Sequence, residues 1–238
     1  MKKVLVTGAN GFVGAALVAR LAKDGEYRVL AAMRRDGANL PAGVELIRVS
    51  DLIDVAPQLA GIDTIVHTAA RVHVMREDTE NPVAEFRRVN VEATLRLAEA
   101  AARVGVRRFI FMSSIKASGE ETRGASFTET MRTEPETPYG FSKFEAETGL
   151  QHVSAGSSIE ISIIRPPLVY AAHAGGNFSR LLRLLKAGIP LPLSSIDNRR
   201  SYVALTNLVD FCVRLLDHPK AANQTFLISD GEDLSTPD

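Results

Sequence analysis

Val4-Leu5-Val6-Thr7-Gly8-Ala9-Asn10-Gly11-Phe12-Val13-Gly14 decides the fold. A short β-branched run, Val4 to Thr7, enters a glycine-spaced turn, and apolar residues at helical spacing, Phe12 to Lys23, leave it. Glycines permit the tight turn and let the backbone come close to a pyrophosphate, whose charge is stabilised by the amides and positive dipole end of the helix. The spacing is GxxGxxG rather than the commoner GxGxxG, and glycines alone would also suit a plain strand-to-helix turn. With a strand before and a helix after, the stretch reads as a dinucleotide site made by Gly8, Asn10, Gly11, Phe12, Val13 and Gly14.

The same rhythm continues along the chain. Arg28 to Ala32, Val44 to Val49, Thr64 to His67, Phe109 to Met112 and Ile161 to Ile164 are short and almost wholly apolar, as strands are when helices cover both faces of a parallel sheet. Between them, Val83 to Val104 repeats apolar residues at Phe86, Val89, Ala93, Leu97, Ala101 and Val104, which predicts one long helix. Pro138 starts another, with Phe141, Phe144, Ala146 and Leu150 as its apolar face. Strand, helix, strand repetition predicts right-handed crossovers and a doubly wound α/β sheet.

After Pro166 and Pro167 the rhythm changes. A glycine-rich loop, AAHAGGN, and a proline-bearing stretch, LPLSSIDNRR, flank one helix expected from Phe178 to Ala187. The chain therefore divides into a core over 1–166 and a small capping region over 167–238 interleaved with late core elements. Ser235 or Thr236 would cap a further helix, so the capping region reads as incomplete.

Composition narrows the function. The chain has 238 residues, 45% hydrophobic and 24% charged, enough for one large domain with an appendage. Lys plus Arg equals Asp plus Glu at 28 each, so no net field draws in nucleic acid or an anionic membrane. No stretch approaches the roughly 18 apolar residues of a membrane helix. One cysteine, Cys212, sits in the apolar run LVDFCVRLL and reads as a buried side chain of a cytoplasmic protein. Histidines and Cys212 fall at no metal-ligand spacing, and no metal is expected.

The end of the second strand bears on which dinucleotide is held. An acidic side chain there commonly binds the ribose of NAD, but this chain reads Met33, Arg34, Arg35. A guanidinium can hold a 2′-phosphate through two charge-assisted bonds, so NADP is favoured over NAD, with Arg34 as its contact.

Tyr139-Gly140-Phe141-Ser142-Lys143 places a phenol and an ammonium one helical turn apart. Alone the pair says little, because such spacing is common on exposed helix faces. Its company gives it weight: the glycine turn, Asn90 in VNVEAT, and Ser113 with Ser114 after the strand FIFM. Together with HTAA at 67–70, FMSSIKASG at 111–119, RPPLVY at 165–170, GNF at 176–178 and RRSYVALTNLVD at 199–210, these motifs resemble the extended short-chain dehydrogenase/reductase family with its Rossmann sheet. Within it the chain is similar to the NAD-dependent epimerases and dehydratases, notably UDP-hexose 4-epimerases and nucleotide-sugar 4-keto reductases.

The resemblance implies that Ser114, Tyr139 and Lys143 are catalytic, with Ser113 the alternative hydroxyl. A free tyrosine titrates near pH 10, so using it as a base needs its phenolate stabilised, a task for Lys143 and a cationic nicotinamide. Lys143 would also hold the nicotinamide ribose, and Ser114 the substrate oxygen. Further cofactor contacts implied are Asp51 and Leu52 near the adenine, Ala69, Ala70 and Asn90 along the pyrophosphate and ribose, and Pro166 and Leu168 near the nicotinamide. Asn177 and Arg200, with Arg199 as competing neighbour, match positions that hold a nucleotide diphosphate. Tyr170-Ala171-Ala172-His173 departs from the family's Tyr-Gly-Pro-Gly, and His173 reads as a solvated loop residue.

Ile115 and Lys116 follow Ser114 where dehydratases carry an acidic pair, which disfavours dehydration. The expected reaction moves a hydride at C4 of a nucleotide-linked hexose, by epimerisation or 4-keto reduction, with Arg34 tipping the balance slightly toward reduction. A non-catalytic NADP sensor of the same fold is the alternative. The two long helices resemble those that make a four-helix homodimer contact.

Overall fold

A computed structural model of the chain describes residues 1–34, 40–72, 81–122, 124–131, 135–172, 183–184, 186–188, 196 and 198–237. Arg35, His173 and Asn177 lie outside the described residues, as does most of the helix expected from Phe178 to Ala187.

All six expected strands form, each within two residues of its expected ends: β1 (Lys2–Thr7), β2 (Tyr27–Met33), β3 (Glu45–Arg48), β4 (Thr64–His67), β5 (Arg108–Met112) and β6 (Glu160–Arg165). Four more follow that the sequence did not mark: β7 (Leu168–Tyr170), β8 (Arg200–Ala204), β9 (Gln224–Leu227) and β10 (Asp233–Leu234). Seven strands make one sheet in the order β3-β2-β1-β4-β5-β6-β9, all pairs parallel. The order reverses between β1 and β4, and ligands of open α/β sheets bind in the crevice at such a point, beyond the carboxyl ends of the strands. A separate small sheet joins β10, β8 and β7.

Strand alternation sends successive side chains to opposite faces, and both faces are covered. Val4 and Val6 of β1 pack with Leu17, Val18 and Leu21 of α1 (Phe12–Asp24). Leu5 of the same strand packs on the other side, with Leu97 and Leu150.

The stretch 83–104 is not one regular helix. It divides into α2 (Pro82–Arg87), a π turn (Arg88–Glu92) and α3 (Ala93–Arg103). The wider turn rotates the buried face, so Asn90, Val91 and Thr94 are buried while Val104 is exposed. The next helix, α4 (Pro138–Ala155), begins as expected, with Pro138 in its first turn and Thr137 Oγ1 accepting the Gly140 amide at 3.2 Å. Its expected apolar face needs correcting: Ala146 and Leu150 are buried, but Phe141 is 52% exposed, and Ser142, Lys143 and Glu147 are buried in its place. A final helix, α5 (Leu205–Asp217), packs on α1 and buries Cys212 as expected. Among the described residues no helix is long and apolar enough to cross a membrane.

Candidate active site

The glycine turn joins β1 to α1 at the carboxyl edge of the sheet. Gly8 has φ +69°, a left-handed conformation that suits glycine, and a Cβ there would stand 2.6 Å from the Ala69 nitrogen. A Cβ on Gly14 would stand 2.3 Å from the Gly8 carbonyl oxygen and 2.7 Å from Thr68 Oγ1. The glycines thus let α1 sit directly against the strand ends, and the loop after β4 closes over them, with Thr68 Oγ1 donating to the Thr7 carbonyl at 2.7 Å. Gly11 caps α1 without a side-chain bond, and no acidic residue stands in the first turn, which leaves the positive end of the helix dipole uncompensated. A bare backbone cradle at an uncompensated helix N-terminus fits a pyrophosphate, so the residues here fit a dinucleotide. Asn10, Phe12 and Val13 lie on this turn, and Ala69 and Ala70 stand half-buried beside it.

The residues expected at the adenosine end carry both signs of charge. Arg34 is exposed just past β2. Asp51, before the 3-10 turn that Leu52 opens, lies 3.9 Å from Arg88, and Arg88 binds Glu85 through two bonds of 2.8 and 2.9 Å. Glu85 is held below the usual carboxylate range by Arg88 first, with Arg71 and Arg34 adding to it.

The structure brings Ser114, Tyr139 and Lys143 together at the end of β5. Ser114 caps a 3-10 turn over Ile115–Ala117, and its hydroxyl lies near enough to the Tyr139 phenol to act on its titration. Burial raises the phenol above its ordinary value and the Ser114 hydroxyl opposes that. Phe86 meets the Tyr139 ring edge-on at 6.2 Å. Lys143 is 2% exposed; its ammonium donates to the Met112 carbonyl at 2.9 Å and lies 4.6 Å from the centre of the Phe111 ring. Burial pulls its pKa down to about 7, against the pull of Glu147.

The neighbouring hydroxyl has a different setting. Ser113 is buried and donates to Glu147, which leaves Ser114 as the one turned toward the phenol. Gly140 lets the two halves meet, because a Cβ there would stand 2.5 Å from the Lys116 carbonyl oxygen. Glu120 ties the same turn to α4, bridging Lys116 at 2.7 Å and accepting from Thr137 Oγ1 at 2.7 Å.

Asn90, expected along the cofactor, is buried and engaged with protein. Its Oδ1 accepts the Arg71 amide at 2.7 Å, and its Nδ2 donates to the Arg71 carbonyl at 3.0 Å and to Ser142 Oγ at 2.9 Å. Pro166 is buried beyond β6, its carbonyl accepting the Ile115 amide, whereas Leu168 is 40% exposed on β7. Arg200 is exposed at the start of β8, in the smaller sheet, with Arg199 exposed before it.

Buried polar groups beneath the site escaped the sequence reading. His67 shares bonds with Thr7 Oγ1 (2.6 Å) and Thr94 Oγ1 (2.9 Å), and burial, with the Lys143 charge adding to it, pushes its pKa down to about 3. Glu147 pairs with Arg165 at 2.6 Å. Both acid and base stood inside quoted or adjoining motifs, but only their burial in the folded chain sets them apart from surface charges.

The model of the NAD dependent epimerase/dehydratase family matches residues 4–229. The chain is 45% identical over 240 residues to a UDP-glucose 4-epimerase of Vibrio cholerae, covering 99% of this chain and 73% of that protein. It is 31% identical to a 3-beta-hydroxysteroid dehydrogenase of Mycolicibacterium neoaurum, over 98% of this chain and 67% of that one. A crystal structure of UDP-glucuronic acid 4-epimerase from Bacillus cereus, in complex with UDP-glucuronic acid and NAD, superposes with a TM-score of 0.85 at 25% identity, over 99% of this chain and 80% of that one. The glycine turn, the doubly wound sheet and a match running almost end to end place this chain in the NAD dependent epimerase/dehydratase family.

Proposed function

We propose that the protein is an NAD-dependent UDP-hexose 4-epimerase. The observation that carries this is the meeting of Ser114, Tyr139 and Lys143 at the end of β5, separated by one strand, β4, from the glycine turn of β1, in a chain 45% identical to a UDP-glucose 4-epimerase.

Bound in the glycine turn, NAD would supply the hydride acceptor and donor for C4 of the sugar. The chain's own residues do the rest. Ser114 donates a hydrogen bond to the C4 oxygen and fixes it against the phenol. Tyr139 takes the proton from that oxygen as the ketone forms and returns it as the alcohol re-forms on the opposite face. Burial holds its phenol above its ordinary pKa, so acting as a base requires positive charge to stabilise the phenolate. Lys143, already in the core, supplies one such charge and binds the nicotinamide ribose; the cofactor ring supplies the other. Gly8, Asn10, Gly11, Phe12, Val13 and Gly14 hold the pyrophosphate, with Ala69 and Ala70 alongside. Arg200 takes the nucleotide diphosphate of the substrate.

The preference for NADP, and with it the lean toward reduction, rests on Arg34 alone. Asp51 and Glu85 bring negative charge to the same end of the site, and the solved relative is in complex with NAD, so NAD is the cofactor proposed. The steroid dehydrogenase among the relatives supplies a second reading, because kinship at 31% reaches a different substrate class. We further propose a division near residue 166 between core and capping region, cytoplasmic residence, and a homodimer through the exposed flank of α2 and α4, where Val83 and Phe141 lie open.

The test is direct. Extraction of the purified protein should release NAD on mass spectrometry, and incubation with UDP-galactose should yield UDP-glucose by chromatography. Absence of interconversion of any UDP-hexose, with turnover of a 3β-hydroxysteroid instead, would move the assignment to the second reading.

A further inference from the structure

The polar face that α4 buries does not end at Lys143. One turn further on, Glu147 is 2% exposed, and its carboxylate accepts Arg165 Nε at 3.1 Å on each oxygen, Arg165 Nη2 at 2.6 Å and Ser113 Oγ. The remaining arm of Arg165 donates to Ser118 Oγ at 3.1 Å. Three successive turns of α4 therefore face one strand end: Tyr139 lies by the hydroxyl of Ser114, Lys143 donates to the carbonyl of Met112, and Glu147 accepts from the hydroxyl of Ser113.

We propose that Glu147 is a positioning residue for the C4 chemistry: held by Arg165 and Ser113, it fixes the register of α4 against Met112–Ser114 and sets a counter-charge one turn from the Lys143 ammonium. The inference rests on the function proposed above. The competing account is that the pair merely pins α4 to β6. Buried ion pairs often add little net stability over apolar residues of the same size, so a pair in this position calls for another reason. The neighbours of Lys143 supply one. His67 on β4 is neutral, with its pKa near 3; Tyr139 on α4 is uncharged; Arg165 on β6 is engaged by Glu147. Among the described residues, Glu147 is the carboxylate whose charge reaches Lys143, and it opposes the downward pull of burial.

Glu147→Gln keeps the shape and removes the charge, leaving Arg165 as a second cation that pushes Lys143 the same way. In full-length protein carrying 13Cε-labelled lysine, the Lys143 titration midpoint should fall by about one pH unit or more. The alkaline limb of the kcat profile should fall with it, while KM for the UDP-hexose changes by less than about twofold. Glu147→Asp should restore the midpoint yet leave kcat reduced, because the shorter side chain keeps the charge and loses the register. A folded Glu147→Gln protein whose Lys143 midpoint is unmoved overturns the proposal. Should that variant not fold, Ser113→Ala carries the test of register: it breaks a hydrogen bond without altering charge, and kcat should drop about tenfold at constant midpoint. Full activity of Ser113→Ala would likewise overturn it. The lysine titration needs no substrate, so a wild-type chain inactive on UDP-hexoses would defeat the functional assignment and leave this measurement decisive.

Discussion

Gly140→Ala should separate the two halves of the site without dismantling the fold. The added Cβ would stand 2.5 Å from the Lys116 carbonyl oxygen and 3.2 Å from both the Lys116 carbonyl carbon and Pro135 Cβ. Ordinary contact begins at about 3.4 Å, so the first turn of α4 and the Ile115–Ala117 turn must part by about 0.9 Å. The obstacle is backbone, which no rotamer change can relieve, and Ser114 caps the turn that moves. Overpacking of this kind costs about 1–3 kcal/mol, partly offset by the better helix propensity of alanine, worth at most about 1 kcal/mol. Misplacing a reacting group by about 1 Å costs on the order of 10²-fold in rate. The expected variant therefore melts within several degrees of wild type, binds NAD within about threefold, and loses about 30- to 100-fold in kcat. A coupled assay for UDP-glucose formed from UDP-galactose reads the rate, and calorimetry reads NAD affinity. If folded Gly140→Ala retains kcat within about twofold, close approach of these two turns does not set the geometry.

Gly14→Ala should abolish dinucleotide binding in calorimetry, because its Cβ would fall 2.3 Å from the Gly8 carbonyl oxygen; retained NAD affinity would contradict the close helix-to-strand contact. Arg108 is 1% exposed and donates to the Leu215 and His218 carbonyls and to Glu160, so Arg108→Met should cost about 3 kcal/mol in urea unfolding, and an unchanged midpoint would refute it. Lys143 carries a pKa of about 7 in the fold against about 10.4 in an unfolded chain, so its protonated form burdens the native state at neutral pH. Lys143→Met should thus end turnover while raising stability by about 1–3 kcal/mol at pH 7, and a loss of stability would oppose this account. His67, neutral in the fold down to about pH 3, binds a proton near 6.5 only when unfolded, so stability from this residue is present above about pH 6.5 and is lost as pH falls toward 3. Unfolding midpoints measured across that window should decline less steeply in His67→Gln, and parallel curves would exclude the histidine as the cause.

The sheet was legible because its strands are buried on both sides and so read as unbroken apolar runs; Thr64 to His67 has the same bounds in sequence and structure. The later strands were not. β9 has half-buried residues and the polar Gln224 and Thr225, and only its place beside β6 makes it part of the sheet. The π turn at Arg88–Glu92 was equally hidden, because an apolar repeat at ordinary helical spacing spans it. The wider turn coincides with a contact from elsewhere in the chain, where the Arg71 backbone takes both ends of the Asn90 amide. Of the candidate site, Ser114, Tyr139 and Lys143 could be named through the family resemblance that their motifs carry. Glu147 and Arg165 could not, since a carboxylate four residues after a lysine on a helix is ordinarily a surface pair.

A helix meant only to cover a sheet would place leucines where α4 places Ser142, Lys143 and Glu147. Stability for that departure comes from the apolar layer beneath, Phe109 and Phe111 of β5 with Ile161 and Ile163 of β6. The glycine turn at the end of β1 and the proposed reacting groups at the end of β5 stand on different strands, and β4 lies between them. The segment leaving β4 joins them. Ala69 abuts the bare face of Gly8, Thr68 holds the end of β1, and the backbone of Arg71 is held by Asn90, whose amide also donates to Ser142. Ser142 in turn donates to the Tyr139 carbonyl at 2.8 Å. The buried side chains of Asn90 and Ser142 are hydrogen-bonded along this path, so direct contacts link the glycine turn to the phenol-bearing helix and set their separation. On the proposed function, a nicotinamide would reach Tyr139 only if that separation matched the length of the dinucleotide, and the glycine turn and the YGFSK helix would then carry meaning together that neither carries alone.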